Sequence, residues 1–300
     1  MRIFISGGAG YLGYNLVRAL EQNEKVEEII VYDNLYRQNL NFFILGEKLN
    51  KTKFIKGDIL NEFELKKHLK NIDVVYHLAA FVESPYSYRD HFNYEQINHF
   101  GTATLVNALQ ENSPKKVIFT SSGAVYGKDI EADENTPPVP ENAYGISKFN
   151  AEKYLELLRY QMDVCIFRIA NVFGFNPMFR FDSVINNLIF NALLYNKIKI
   201  NGNGENITPF VHIDTVTQRL AQAAFQDEPK IENLVEYNQS VNTVRDILLE
   251  SFENLEFQYL NTQQKLSSYQ ITSIYHPNQD DNFKARVLEC LQDFKSNFKL

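Results

Sequence analysis

The amino-acid sequence predicts an α/β protein, a doubly wound parallel sheet joined to a smaller C-terminal part that binds a substrate. Through the first half, short apolar runs alternate with amphipathic segments of helix length, the pattern of a parallel sheet covered by helices on both faces. A glycine-rich turn follows the first apolar run directly. After Arg168 the rhythm breaks into a loop rich in Asn, Pro and Phe.

Strands are expected at Arg2–Ser6, Glu28–Tyr32, Lys53–Lys56, Asp73–Leu78, Lys116–Ser121 and Asp163–Arg168. Between them the 3.6-residue period predicts helices at Tyr11–Gln22, Glu62–Leu69, Gln96–Gln110 and Tyr144–Arg159. Asn61, with Glu64 three residues on, is a capping pair for the second of these. Beyond the Asn171–Asp182 loop come a helix near Ser183–Leu194, a strand at Lys197–Ile200 and a turn at Asn201–Asn206. Phe210–Ile213 and a helix from Thr215 to Phe225 are expected to return to the main sheet, and Thr243–Glu253 and Asp281–Leu291 to form late helices. The main domain is therefore expected over 1–170 with a return segment at about 207–238, and the smaller part over 171–206 and 239–300. With no long linker between them, the two should share one cleft, where α/β folds place ligands.

Composition narrows the function. Hydrophobic residues make up 44% of the chain and charged residues 22%, as in a folded globular protein. The net charge of −7, with no basic cluster, argues against nucleic acid or an anionic membrane as partner and leaves a small molecule as the better expectation. No stretch approaches the roughly 20 apolar residues of a membrane helix, and Met1–Ser6 reads straight into a strand, so a cytoplasmic location is expected. Cys165 and Cys290 have no partner at metal-ligand spacing; buried thiols are expected, with no disulfide and no metal site. The 23 Phe and 17 Tyr read as ordinary core material before they read as carbohydrate-stacking surface.

The turn Gly7-Gly8-Ala9-Gly10-Tyr11-Leu12-Gly13 lies between a strand and a helix. Small residues there let the backbone turn tightly and approach a pyrophosphate, which then faces the positive end of the helix. Alone such a turn could be purely structural. Asp33, twenty residues beyond Gly13 at the end of the second strand and followed by Asn34, strengthens the dinucleotide reading, because a carboxylate there accepts both hydroxyls of an adenosine ribose. That chemistry favours NAD and repels the extra phosphate of NADP, although Arg37 stands close enough in sequence to keep NADP open. Asp58-Ile59 is expected near the adenine, and Leu78-Ala79-Ala80 near the pyrophosphate and ribose.

Thr120-Ser121-Ser122 closes the fifth strand, and twenty-two residues after Ser122 the segment Tyr144-Gly145-Ile146-Ser147-Lys148 opens a helix. Tyrosine and lysine four apart share a helical face. A phenol with an ordinary pKa near 10 is a poor base, but an ammonium and a nicotinamide cation both favour its ionised form. A serine hydroxyl beside it can hold the substrate oxygen. Hydride transfer at an alcohol carbon needs this set. A second pair at the same spacing, Tyr195 and Lys199, runs into a predicted strand with no serine cluster before it, and is read as structural.

With these segments assembled, the chain resembles the NAD-dependent epimerase/dehydratase family, the extended short-chain dehydrogenases, over nearly its full length. The resemblance also rests on Asp33-Asn34-Leu35, Gly57-Asp58-Ile59, His77-Leu78-Ala79-Ala80, Asn98 with Gly101-Thr102, Val125-Tyr126-Gly127, Arg168 with Asn171 and Gly174, Phe210-Val211-His212-Ile213-Asp214, and Asp281 with Lys284-Ala285. It implies catalysis by Ser122, Tyr144 and Lys148, with Ser121 a neighbour and Asn98 beside the nicotinamide. It further implies a nucleotide-diphosphate sugar lined by Asn171, Asn187 and Leu188, and a homodimer paired through the helices that begin near Gln96 and Tyr144.

Departures from the family pattern restrict the chemistry. Dehydratases of the family carry an acidic pair where this chain has Gly123 and Ala124, and related decarboxylases keep a glutamate at the second of these positions, so both activities are disfavoured. The arginine that meets the diphosphate is replaced by Thr208-Pro209; Arg180 either supplies that charge or lies at the surface. The reading is an NAD-dependent sugar-nucleotide epimerase, with a 4-keto-sugar-nucleotide reductase and a catalytically silent NAD-sensing protein as alternatives.

Overall fold

In the strand Arg2–Ser6, Ile3 and Ile5 enter one apolar core while Phe4 enters another on the opposite side. The same split separates Ile29 and Val31 from Ile30 and Tyr32, and Val74 and Tyr76 from Val75. Because side chains alternate along a strand, a run that is apolar at every position requires cover on both faces. The computed structural model supplies it, and describes residues 1–44, 48–82, 91–261, 268–276 and 282–298.

Chain order runs β1 (Arg2–Ser6), α1 (Tyr11–Glu21), β2 (Glu28–Asp33), α2 (Asn41–Ile44), β3 (Thr52–Lys56), α3 (Glu62–His68) and β4 (Val74–His77). Next α4 (His91–Asn93) continues through a π-helical stretch, Tyr94–Phe100, into α5 (Gly101–Asn112), followed by β5 (Lys116–Ser122), β6 (Glu131–Ala132), α6 (Ala143–Glu156) and β7 (Asp163–Ile169). The remainder comprises β8 (Asn171–Phe173), α7 (Val184–Tyr195), β9 (Lys197–Asn201), β10 (Ile207–His212), α8 (Ile213–Ala223), β11 (Ile231–Leu234), β12 (Tyr237–Ser240), α9 (Val241–Ser251), β13 (Glu256–Leu260), β14 (Gln270–Ile271) and α10 (Phe283–Asn297).

Seven parallel strands form the main sheet in the order β11-β7-β5-β4-β1-β2-β3. The order reverses between β1 and β4, and at such a switch point the helices leave to opposite faces and open a crevice beyond the strand ends. Apolar residues of α1 and α8 cover one face; those of α3, α5 and α6 cover the other. The predicted doubly wound α/β fold is what the chain adopts.

A third core, built from Ile185, Leu188, Ile198, Ile200, Phe210, Val244, Leu248, Val287 and Phe294, belongs to the smaller part. One expectation is corrected here. Phe210–Ile213 does not return to the main sheet, because β10 pairs with β8 and β12 in a separate three-stranded sheet. The return is made after it, by α8 and by β11, which pairs with β7 from Ile231↔Ile166 to Leu234↔Ile169. Of the expected Asp281–Leu291 helix, Asp281 lies outside the described residues, Asn282 is the residue before α10, and Phe283–Leu291 falls in α10.

Three elements that position the site are tied by one buried ion pair. Arg168 of β7 donates from Nε and Nη2 to both oxygens of Glu152 on α6, at 3.1 and 2.8 Å, with side chains only 3% and 4% exposed. Ser121 of β5 donates to the same carboxylate, and Arg168 Nη1 donates to Tyr126 at 3.0 Å. Removing one partner of such a pair strands the other charge in the interior, at a cost of about 3–5 kcal/mol. Arg168→Leu is therefore expected to lower unfolding stability by about that amount in urea titrations, and a loss below about 1 kcal/mol would contradict a structural role for the pair.

Candidate active site

At the carboxyl ends of the strands a cleft of about 1100 Å³ opens between the main sheet and the smaller part. Gly7 leaves β1 with φ +73°, and a Cβ there would sit 2.5 Å from the Ala79 nitrogen, so only glycine lets the turn pass this close to the segment after β4. Gly10 precedes α1 with no side-chain cap, and no acid occupies the first turn of that helix. The first-turn amides and the positive helix end are thus turned to the cleft as an anion cradle. Asp33 accepts from Ala9 N at 3.1 Å and Leu35 N at 2.8 Å. Burial raises its pKa above the ordinary carboxylate range while these two amides pull it back. Each further hydroxyl donor would favour the ionised form, which is what a ribose diol supplies.

Gly7, Gly10, Tyr11, Leu12, Gly13, Asp33, Asn34, Ile59, Leu78, Ala79 and Ala80 line one end of this cleft. The residues expected to bind this end and to catalyse fall on one continuous surface, with two exceptions. The Asp58 carboxylate turns to Leu60 N at 2.9 Å, leaving Gly57 and Ile59 on the wall. Asn98 stands behind the wall, 2% exposed in the π-helical stretch, where it accepts from Phe81 N at 2.7 Å and donates to Phe81 O at 3.0 Å and Ser147 Oγ at 3.1 Å. It holds the loop after β4 against α6. Arg37 is also committed, to the Val82 carbonyl and to Asp182 at 3.7 Å.

Asn98 belongs to a chain of buried polar groups that sequence reading does not reveal. Ala79 N donates to Ser6 Oγ at 3.4 Å, Ser6 Oγ lies 2.8 Å from His77 Nδ1, His77 Nε2 lies 2.8 Å from Thr102 Oγ1, and Thr102 donates to Asn98 O at 2.6 Å. Since Thr102 spends its proton on Asn98, it accepts from Nε2, and Nδ1 accepts from Ser6; the network assigns the tautomer. Burial, with Lys148 nearby, pulls the His77 pKa down to about 3, so the ring stays neutral.

The catalytic candidates meet on the opposite wall. Ser122 ends β5 and accepts from Ala124 N at 3.2 Å, which fixes the following turn. Asn142 caps α6 by accepting from Gly145 N at 2.7 Å. A Cβ on Gly145 would lie 2.4 Å from Ala124 O, so the absence of a side chain lets the helix start rest against the serine turn. Tyr144 thereby faces the cleft beside the serine turn. Burial raises its phenol pKa above the ordinary value; Arg180 and then Ser122 act the other way. Lys148, one turn on and 3% exposed, has its ammonium 4.5 Å over the Phe119 ring. Burial pulls its pKa down to about 7 and Glu152 partly restores it.

Toward the smaller part, Asn171 donates to Pro209 O at 3.1 Å and Tyr269 Oη at 3.2 Å. Asn187 and Leu188 of α7 and Thr208 of β10 line the same stretch, and Asn187 donates to Phe181 O at 2.9 Å. Arg180 faces the cleft in a two-toothed pair with Asp182, at 3.2 and 2.8 Å. Tyr269 and Asp182 carried no motif, since a lone tyrosine and a loop aspartate have no spacing that marks them. Tyr195 ends α7 and Lys199 sits in β9, so that second pair shares no helical face.

Lys148 gives the fold a pH dependence. In the unfolded chain its amine stays protonated up to about pH 10.4, whereas in the fold it holds the proton only up to about 7. Below that point both states carry the charge and the full cost of burying it is felt; between the two values the folded form sheds the proton and stability rises with pH. The ligand-free protein should therefore gain thermal stability from about pH 7 to about pH 9 relative to Lys148→Met, which lacks the titrating group. Parallel melting curves for the two across that range would refute this.

The sequence model of the NAD dependent epimerase/dehydratase family matches residues 3–234. The putative UDP-glucose 4-epimerase of Methanocaldococcus jannaschii is 30% identical over 224 residues, which cover 72% of this chain and 71% of that protein. The dTDP-D-glucose 4,6-dehydratase of Mus musculus is 32% identical over 236 residues, covering 76% of this chain and 66% of the dehydratase. Among solved structures, UDP-N-acetylglucosamine 4-epimerase from Methanobrevibacter ruminantium M1, in complex with UDP-N-acetylmuramic acid, superposes with a TM-score of 0.86 at 26% identity over 99% of both chains. UDP-glucuronic acid 4-epimerase from Bacillus cereus, in complex with UDP-glucuronic acid and NAD, shares the fold with a TM-score of 0.87 at 24% identity, over 99% of this chain and 100% of that one. From its family match, with the glycine turn, Asp33 and the Ser122–Tyr144 wall on one cleft, this chain belongs to the NAD-dependent epimerase/dehydratase family.

Proposed function

We propose that the protein epimerises a nucleotide-diphosphate sugar through a transient ketone, with NAD as a cofactor regenerated in each turnover. The observation that carries this reading is a wall with groups to move a proton and no acid in the turn that follows Ser122. Ser122 and Tyr144 are adjacent, while the two positions after Ser122 hold no acid. Gly123 is buried, and a Cβ there would lie 2.2 Å from Ile271 Cδ1, so the turn has no room for an acidic side chain without displacing Ile271. Water loss from a sugar would need both an acid and a base at this place.

Asp33, the α1 N-terminus, Ile59 and the Leu78–Ala80 segment would hold NAD, and its chemistry when bound is to take a hydride from a sugar carbon and return it. Ser122 would hold the reacting hydroxyl. Tyr144 accepts that hydroxyl's proton as the carbon loses its hydride, and gives it back when the hydride returns to the other face of the ketone. Lys148, one turn further along α6, has a pKa near neutrality, suited to exchanging protons with cofactor hydroxyls. Asn171, Asn187, Leu188 and Arg180 would line the nucleotide-sugar end. A homodimer is proposed through α5 and α6, on whose flank Phe92, Phe100 and Ile146 are exposed at 71%, 45% and 41%.

Cofactor preference follows from the charges: Asp33 rewards a diol and repels a 2′-phosphate, while Arg37 is engaged by Val82 and Asp182. NAD should bind more tightly than NADP in direct titration, and Asp33→Ala should narrow the difference. An NADP affinity equal to or above that for NAD would remove the basis of this assignment.

Tyr144→Phe should abolish turnover and leave NAD binding nearly intact, since the phenolic oxygen handles a proton and need not hold the cofactor. Candidate UDP-, GDP-, dTDP- and CDP-sugars incubated with enzyme and catalytic NAD in deuterated water should show inversion at one carbon without deuterium there, read by NMR. Stoichiometric oxidation of NADH or NADPH by a keto-sugar, with no epimerisation, would install the reductase instead. No conversion of any kind together with tight NAD binding would favour the NAD-sensing role.

A further inference from the structure

Tyr11 opens α1, and its main chain belongs to the glycine turn at the cofactor end of the cleft. Its side chain leaves that end. The hydroxyl donates to Gly174 O at 2.7 Å, in the loop after β8, and accepts from Asn186 Nδ2 of α7 at 3.2 Å. Asn186 Oδ1 in turn accepts from Gly174 N at 3.0 Å, which closes a ring of hydrogen bonds among α1, the loop and α7. Burial raises the Tyr11 phenol pKa, so the hydroxyl keeps the proton it donates. Asn176, two residues beyond Gly174, repeats the tie from the loop side. Its Nδ2 donates to Tyr11 O at 3.0 Å and to Asn15 Oδ1 at 2.9 Å, and its Oδ1 accepts from Met178 N at 2.6 Å. Asn186 and Asn176 are 0% and 1% exposed, and Tyr11 6%, so none can leave without stranding a buried polar group. The same loop continues into Met178, Arg180 and Asp182, and Asn187 and Leu188 follow Asn186 on α7; all of these line the cleft at the proposed sugar end.

We propose that Tyr11 is a positioning residue: its hydroxyl ties the wall of the sugar end to the turn of α1 that faces the cofactor, so that a filled cofactor site holds that wall in place. A ligand against the first turn of α1 restrains the turn, and a closed ring of buried hydrogen bonds passes the restraint to the loop and to α7. A wall ordered beforehand takes less conformational entropy from the sugar nucleotide that docks on it. A phenyl ring would fill the same space and make the same apolar contacts; only the hydroxyl makes the tie. Asn41 Nδ2 also donates to Pro177 O at 3.1 Å and Arg37 reaches Asp182 at 3.7 Å, but the first contact is exposed and the second long.

Backbone amide exchange, read by mass spectrometry with and without saturating NAD, tests this with no substrate present. NAD should slow exchange across residues 174–188 of the wild-type protein by about fivefold or more, the lower end of an ordinary coupling between sites. In Tyr11→Phe the slowing should fall below about twofold. Tyr76→Phe is the control: it deletes another buried hydroxyl bond, to Leu220 O at 2.8 Å, away from the cleft lining, and should keep the full slowing. In turnover, a readout that rests on the proposed function, Tyr11→Phe should raise KM for the sugar nucleotide about fivefold and leave kcat within about twofold. Should Tyr11→Phe lose its folded spectrum, Asn176→Ala, which cuts the tie from the loop side, is read in its place. No slowing in the wild-type protein, undiminished slowing in Tyr11→Phe, or an equal loss in Tyr76→Phe overturns the proposal whatever the reaction proves to be. Slowing lost only in Tyr11→Phe, with no sugar nucleotide epimerised by the wild-type protein, upholds the tie and removes the epimerase reading, so the two failures are separable.

Discussion

Glu152 and Arg168 meet where α6 crosses the sheet, and neither can leave without abandoning a charge in the interior. Ser121 and Tyr126 complete their hydrogen bonds, which extends the pair into a small buried lattice. Tyr126 passes it on to Asn233 of β11 at 2.8 Å, and Asn233 donates through its backbone amide to the Glu134 carboxylate at 2.9 Å. Apolar contact between a helix and a sheet is non-directional, so by itself it leaves more than one packed register available. A fork-to-fork ion pair has one geometry. It sets the rotation and height of α6, and Tyr144 and Lys148 project from that helix against Ser122, the neighbour of Ser121 on β5. The placement of the proposed catalytic groups therefore descends from an ion pair that is itself not part of the cleft lining.

The cofactor side is organised by the opposite means. There backbone does the work: a glycine with positive φ, an uncapped helix start and amides that hold the Asp33 carboxylate. Side-chain charge is scarce at this end and tied where it occurs, as with Arg37. Beneath it the Ser6–His77–Thr102–Asn98 chain ties the ends of β1 and β4 to α5 and the π-helical stretch before it. A neutral imidazole there satisfies a donor and an acceptor at once without admitting water or charge. Two walls of different construction, one of main chain and one of side chains, face each other across the cleft.

Much of this was legible in sequence because periodicity and caps are local. The apolar runs of β1, β2, β4, β5 and β7 are buried on both faces and read as such, and Asn61 accepts from Glu64 N at 3.2 Å as its spacing predicts. The glycine turn, Asp33, Ser122, Tyr144 and Lys148 sit at strand or helix ends, where spacing along the chain translates into position. What escaped is non-local. β6 and β14 are two residues each and, among the described residues, pair only with one another, and β8 lies within what reads as an irregular loop. Asn98 was expected at the ligand and instead supports the wall. Its rank in the sequence pattern is the same in either case; only the π-helical turn beneath it decides where the amide points. Arg180 was left between two roles, because loop side chains are placed by their contacts, here by Asp182.

The placement of β11 has a consequence for how the protein comes apart. Residues 163–169 make the last strand laid down before the chain leaves for the smaller part, and their outer edge is closed only when Ile231–Leu234 comes back. Arg219 of α8 secures that edge strand through Glu232 at 2.8 Å, with Glu228 also at 2.8 Å. The main sheet thus waits for a segment made after β8, α7, β9 and β10, while the smaller part waits for β12 and α10, made later still. Neither half owns a contiguous stretch of chain that is self-sufficient. Loop closure between such distant segments is slow, and partial structures expose raw strand edge. Unfolding is expected to take both halves in one transition, so the cleft persists or disappears as a unit with the fold around it.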